Sequence, residues 1–366
     1  MDILDIKRQA RLEKYYAEAP EEQIERIREI KNHFGDELMI VAHHYQKDEI
    51  VQFADAVGDS LKLAQIAATN KTAKKIIFCG VTFMAETADI LTDNSQKVIF
   101  PDPTAGCSLA DMANSFQITK AWKFLKNRYS SSDIIPITYV NSSAAIKSFV
   151  GKYNGVVVTS GNARNIIEWA LTRGKYLFFL PDQNLGRNIS IQLGVSQEAL
   201  ALWKPLSEEL IENNPEKTRI ILWDGYCSVH QQFTVRQIKN LRNLYPDIKI
   251  IVHPECTNEV VNASDEMGST ADIINYIHKS PVGSRIAVGT DNNLVIRLQR
   301  LFSDRKVMLL NPIACSCVLM NRIDLPHLAL TMDNLIQRPE ELNIVKVDNE
   351  TSHFAKIALE NMLKLS

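Results

Sequence analysis

Three cysteines stand just beyond apolar segments, where a strand would hand the chain to a helix. Cys107 lies in FPDPTAGCSLADM, Cys227 in WDGYCSVH and Cys317 in NPIACSCVLM. Thiolates from three separate loops can share a metal, and two centres fit. Zinc sites usually carry tight CxxC or HxxxH pairs, and this sequence offers only the loose Cys227–His230 spacing. An iron–sulfur cluster accepts scattered thiolates, and a 4Fe-4S cluster with three protein ligands keeps one iron open to substrate. The other cysteines sort differently. Cys79, inside KIIFCG, reads as a buried small hydrophobe. Cys256 follows Glu255 and, by strand alternation, should face away from it. Cys315 shares a CSC run with Cys317, so spacing leaves open which of the two is a ligand.

Three polar pairs recur in the same way after apolar strands: His43 with Tyr45, Tyr139 with Asn141, and His253 with Glu255. In extended chain, residues two apart share a face, so each pair can project toward one centre. Recurrence at the same step favours a shared site over three accidents. A second recurrence opens helical patterns: Gly58-Asp59-Ser60, Ser160-Gly161-Asn162 and Gly268-Ser269-Thr270. Such residues serve as helix N-caps. Converging helix N-termini would equally receive carboxylates or a phosphate.

The elements that must position these groups repeat. Apolar strands are expected at 38–42, 75–80 and 97–100, at 133–140, 155–160 and 176–180, and at 248–252, 285–289 and 306–310; RIILWDG (219–225) falls outside this nine-strand scheme. Helical patterns lie between them at 60–68, 163–173 and 270–279. The order predicts an α/β fold of three pseudo-threefold-related αβα units with parallel sheets around a central active site, ligands binding beyond the carboxyl ends of the strands. The expected division is N-terminal helices at 1–36, units at 37–130 and 131–247 (with the extra strand), and a third unit with a C-terminal helix at 248–366. Lys and Arg number 41 against 43 Asp and Glu, with no basic run, which argues against nucleic-acid binding. The first residues show no secretory leader, and no apolar stretch approaches the 18 or so residues of a membrane span, so a cytoplasmic protein is expected.

Taken together, AHHYQ (42–46), DAVGDS (55–60), TYVN (138–141), TSGNA (159–163), HPEC (253–256), MGST (267–270) and the loop cysteines resemble the quinolinate synthase family, in its order, from about residue 38 to 325. The resemblance implies an oxygen-sensitive 4Fe-4S cluster held by Cys107, Cys227 and Cys317. It also implies condensation of iminoaspartate, delivered by L-aspartate oxidase, with dihydroxyacetone phosphate to give quinolinate, phosphate and two waters. Carried over by position, His43, Ser60, Asn141, Ser160, His230, Ser269 and Thr270 would bind substrate, and Glu255, His253, Tyr45 and Tyr139 would do acid/base work. The open iron would act as a Lewis acid without a redox cycle. Burial should raise the pKa of Glu255 toward neutrality. Two positions depart from the common pattern: His44, often Asn, and the CSC run, where Cys315 is a spare thiol or a redox control. The rival readings are a zinc-dependent lyase on an anionic substrate, a cluster sensor without catalysis, and a sugar-phosphate binding module.

Overall fold

The computed structural model describes residues 3–129 and 133–365. Its fourteen strands are β1 (Leu38–His43), β2 (Ala56–Gly58), β3 (Lys75–Cys79), β4 (Lys97–Ile99), β5 (Ile134–Tyr139), β6 (Val156–Val158), β7 (Tyr176–Leu180), β8 (Leu200–Lys204), β9 (Glu209–Glu212), β10 (Ile220–Trp223), β11 (Lys249–Val252), β12 (Glu266–Met267), β13 (Arg285–Gly289) and β14 (Lys306–Leu309). They form three sheets in the orders β2-β1-β3-β4, β6-β5-β7-β10-β8-β9 and β12-β11-β13-β14, parallel throughout except for the β8–β9 pair. Central strands such as LMIVAH and IIPITY read as apolar runs because helices cover both faces of a parallel sheet. The α/β class and the repeated αβα plan are therefore present. Among the described residues no helix is long and apolar enough to cross a membrane.

The plan common to the three sheets has four strands, not three, and the second sheet adds two more, which corrects the expected scheme. The segment 219–225 carries β10, which occupies the place that β4 and β14 hold in the other sheets. The strands outside the common plan are β8 and β9, a hairpin inserted between β7 and β10. Four strands escaped the expectation: the hairpin strands β8 and β9, and the edge strands β2 and β12, whose three and two residues are too short for a periodic signal. Their local anchors repeat: Asp55 exchanges main-chain and side-chain bonds with Ile40, its N–H donating to the Ile40 carbonyl and its Oδ2 accepting the Ile40 N–H at 2.8 Å. Asp265 does the same to Ile250, also at 2.8 Å.

Two compact units partition the chain. One runs through Gly106 and takes in Val318–Val347; it holds the first sheet and the helices Ile3–Ala17 and Pro20–Phe34. Within it, the segment after the helix Leu325–Gln337 closes the edge of β4: Ile99 bridges Ile344, and the Phe100 and Val345 N–H groups bond to Asn343 and Val98 carbonyls at 2.9 Å each. The other unit is Cys107–Cys317 with the C-terminal helix Asn349–Leu365.

The core of this second unit is aromatic under its large sheet. Trp203 and Trp223 face each other in register on β8 and β10, with Phe178 and Trp122 beside them. The Trp223 indole donates to the Met112 carbonyl at 2.8 Å, which docks the segment after Cys107 against the strand that leads to Cys227.

The helix Asn349–Leu365 lies directly on the helix Ala144–Lys152, which comes after β5. At Gly151 a Cβ would overlap the Phe354 carbonyl oxygen and stand 2.8 Å from its carbon, so the two backbones touch there. Gly151→Ala must push them apart and is expected to destabilise the protein by about 1–3 kcal/mol. Urea unfolding checks this, and an unchanged midpoint would mean that the helices do not meet at this residue.

Candidate functional site

The residues after β1 and β11 do not continue as extended chain. Each begins a tight turn, with the Gln46 N–H bonded to the His43 carbonyl and the Cys256 N–H to the His253 carbonyl, both at 3.0 Å. The expectation that alternation aligns each pair is therefore corrected; the turn aligns them. It also brings the second backbone N–H of each pair onto the first imidazole. Tyr45 N–H donates to His43 Nδ1 at 3.1 Å and Glu255 N–H to His253 Nδ1 at 3.4 Å. An Nδ1 that accepts leaves the neutral ring's proton on Nε2, so both rings present a donor at their far end. Tyr45 packs edge-on to His43, with ring centroids 4.8 Å apart.

In the second unit these groups meet others. His230 Nδ1 lies 2.6 Å from Glu255 Oε2, its Nε2 lies 3.3 Å from Thr290 Oγ1, and its ring stacks on His253 with centroids 4.5 Å apart. The Tyr139 hydroxyl at the end of β5 also bonds to the Glu255 carboxylate. Glu255 is 2% exposed, and its Oε1 has no hydrogen-bond partner among the described residues. Burial alone would push the Glu255 carboxyl up. The two imidazoles and the bonds from His230 and Tyr139 outweigh it and hold the group down at about 2, against the expected rise. His253 is pushed down to about 3, first by burial and then by His230, with Glu255 opposing.

Two of the loop cysteines, Cys107 and Cys227, feel this carboxylate, and Cys317 lies close to Cys107. Burial raises the Cys107 thiol to about 12, with Cys317 and Glu255 adding to the effect. Cys227 is pushed well up by burial, Glu255 and Cys107. The loops are tied directly. Ser108 and Ser228 hydroxyls lie 3.5 Å apart, and the Gln232 side chain clamps Cys315, taking its N–H at 2.8 Å and giving to its carbonyl at 3.1 Å. Cys315 itself is exposed, whereas Cys79 and Cys256 are fully buried, the latter with its thiol on the Gly289 carbonyl.

Ligand atoms of Cys227, His230 and Glu255 lie within 4.8 Å of one another, a group able to hold a metal. Two ligand atoms on one tetrahedral zinc stand about 3.2 Å apart, since each bond is about 2.0 Å. The His230–Glu255 separation of 2.6 Å is shorter than that, so the two groups face each other directly as a close acid/base contact beside the thiols.

The helix-opening residues divide. Asp59 caps its helix through Lys62 N–H, and Ser60 is the buried first residue of that helix. Ser269 forms a capping box with Asp272, giving its hydroxyl proton to Asp272 Oδ2 at 2.6 Å, so that proton is committed inside the protein. Asn162 folds back on the Thr159 N–H at 2.7 Å. The start of the helix Ala163–Arg173 approaches that of Thr270–Lys279: a Cβ at Gly161 would stand 3.7 Å from Ser269 Oγ. Asn141 and Ser160 are half-buried just beyond β5 and β6, and Thr270 is buried. His43, Tyr45 and Ser60 belong to the first unit, the remaining candidates to the second. Sequence reasoning overlooked Thr290, Asp182 and Asp291. A comparison of the tripeptides at the ends of β7 and β13, LPD against GTD, would have exposed the repeated aspartate.

Residues 25–364 match the family model described as Quinolinate synthetase A protein. The chain is 52% identical to the quinolinate synthase of Listeria monocytogenes serovar 1/2a over 368 residues, covering 100% of both chains. It is 54% identical to that of Listeria innocua over 347 residues, 94% of each. The enzyme of Bacillus cereus strain AH187 is 51% identical over 353 residues, 96% of this chain and 95% of the relative.

The buried imidazole sets an acid limit on the metal-free protein. An unfolded chain binds a proton at this His below about pH 6.5, whereas folded His253 resists it down to about 3. Stability is thus lost as pH falls from 6.5 toward 3, and Glu255 adds to the loss below its ordinary 4.5. Urea unfolding at pH 7 and pH 5 is expected to show a larger drop for the parent than for His253→Gln. Equal drops would refute the assignment.

Proposed function

The chain belongs to the quinolinate synthetase A family, and from that premise we propose that it condenses iminoaspartate with dihydroxyacetone phosphate, releasing quinolinate, phosphate and two waters. As a member of that family it is an enzyme of NAD biosynthesis. The observation that carries the finer reading is the electrostatic contact of Cys107 with Cys317, Cys227 and Glu255, and of Cys227 with the same carboxylate. All three are soft donors, and the raised pKa of Cys107 and Cys227 keeps those two thiols protonated until a cationic centre binds them, which suits an iron–sulfur group. Cys107, Cys227 and Cys317 would hold a 4Fe-4S cluster, which when bound supplies a Lewis acid at its one iron without a thiolate.

The chain's own groups do the rest. Glu255 is ionised at neutral pH and hydrogen-bonded at Oε2, so Oε1 is available to take a proton from substrate. His230 and Tyr139 hold that carboxylate in place and can pass the proton onward. His253, neutral near pH 7, offers its Nε2–H to a substrate oxygen. The N-terminal N–H groups of the helices Ala163–Arg173 and Thr270–Lys279 suit carboxylate or phosphate oxygens. On the family motifs, His43, Ser60, Asn141, Ser160, Ser269 and Thr270 are assigned to substrate contact, Ser269 as an acceptor because its proton is spoken for, and Tyr45 to acid/base work. Iminoaspartate would come from L-aspartate oxidase, and the reaction would run in the cytoplasm.

Protein purified without oxygen should contain iron and sulfide in a 4Fe-4S ratio and show thiolate-to-iron absorption. Cys107→Ser, Cys227→Ser and Cys317→Ser should each lose both the chromophore and quinolinate formation, while Cys315→Ser keeps the cluster. Zinc without sulfide would replace this reading with a zinc lyase. Glu255→Gln should retain the cluster and lower kcat by about 10²–10⁴-fold; turnover at the parent rate would remove Glu255 from the mechanism.

A further inference from the structure

Each sheet repeats one position, two residues past the strand that precedes its cysteine strand. It is Val81 after β3, Asp182 after β7 and Asp291 after β13. Both aspartates are 0% exposed. Asp291 divides its carboxylate: Oδ1 accepts the Asn293 N–H at 2.9 Å and caps the helix Asn292–Leu301, while Oδ2 accepts the backbone N–H of Cys317 at 2.8 Å. Asp182 repeats the cap. Its Oδ1 accepts the Leu185 N–H at 2.8 Å and caps the helix Gln183–Gln192, and the Cys227 backbone N–H is directed at the same carboxylate. Among the described residues Asp182 Oδ2 has no hydrogen-bond partner, so the cysteine N–H approaches this carboxylate without a full bond. Val81 has no acceptor to offer. There the chain two residues before Cys107 is held by Thr82, whose N–H and hydroxyl both donate to the Ala105 carbonyl, at 2.9 and 3.1 Å.

We propose that Asp291 and Asp182 are positioning residues for the cluster: Asp291 joins a helix cap to the backbone N–H of Cys317 and so fixes where that thiolate points, and Asp182, at the matching place, caps its helix and lies against the Cys227 backbone N–H without a full bond. The role rests on the assignment of a cluster to these cysteines. A cap alone needs one acceptor oxygen, and a short hydroxyl provides it. The second acceptor of Asp291 reaches the cysteine. It holds the ligand residue's N–H away from sulfur, and hydrogen bonds to cluster sulfurs are one determinant of the cluster's potential. Groups that orient metal ligands in this way typically change metal affinity about 10–100-fold when removed.

Asp291→Ser and Asp182→Ser keep an N-cap hydroxyl but cannot span to the cysteine N–H. Anaerobically reconstituted protein would be mixed with a ferrous-iron chelator and the rate of iron release followed, with circular dichroism of the metal-free form as a folding control. Release is expected to quicken roughly tenfold to a hundredfold, more for Asp291→Ser than for Asp182→Ser. The cluster's reduction potential, read by electron paramagnetic resonance, should move positive as the freed N–H turns to sulfur. Asn114→Ala removes the cap of the helix Ser115–Arg128, which accepts the Gln117 N–H at 3.0 Å, and should release iron at the parent rate. Asp291→Asn, which keeps size and one acceptor, must shift in the same direction and covers the case of a serine variant that does not fold. Parent-like release and potential in the aspartate variants, or release from Asn114→Ala as fast as theirs, overturns this role alone. Parent protein that takes up no iron and sulfide overturns the cluster reading and this role with it.

Discussion

A carboxylate cannot keep its charge at 2% exposure unless donors surround it, and Glu255 is held to that condition. Every neighbour answers it. The turn after β11 places Glu255 over its own His253, the short helix after Cys227 lifts His230 to 2.6 Å, and β5 ends in the hydroxyl of Tyr139. Three strands from two sheets are thereby committed to one oxygen pair. The stacked His253 shares the cost: it stays neutral beside the charged carboxylate. The thiols feel the same field, which raises them further than burial would.

Most of this was legible in the amino-acid sequence, but for uneven reasons. The central strands were visible because burial on both faces makes them continuous apolar runs. Edge strands β2 and β12 were not, since three- and two-residue pairings leave no pattern. Mistaking β6 for the counterpart of β3 then displaced β10 from the repeat and made Cys227 look like an exception. With β10 in its true place, all three cysteines come after the same strand of their sheets.

Within the site, residue types pointed to the thiols and polar pairs, whereas their electrostatics came only from packing. Burial of Glu255 was foreseen, yet the sign of its pKa shift depends on His230, which lies on another loop and touches it only in the fold. Thr290 was missed for a similar cause: a threonine ending an apolar strand has no signature until a buried imidazole is seen against it. The inserted hairpin β8–β9 brings Trp203 opposite Trp223 and so completes the core beneath the one sheet that departs from the common plan.

The closure of β4 by residues 343–345 has a consequence for synthesis. The first sheet emerges from the ribosome early, but the segment that pairs with its edge is made nearly last, after the whole of Cys107–Cys317. A nascent chain therefore carries an unpaired β4 edge while the second unit is being completed, the state in which stray strand pairing is most available. Lys97 at the start of β4 and the three-residue length of that strand keep the waiting edge short and charged.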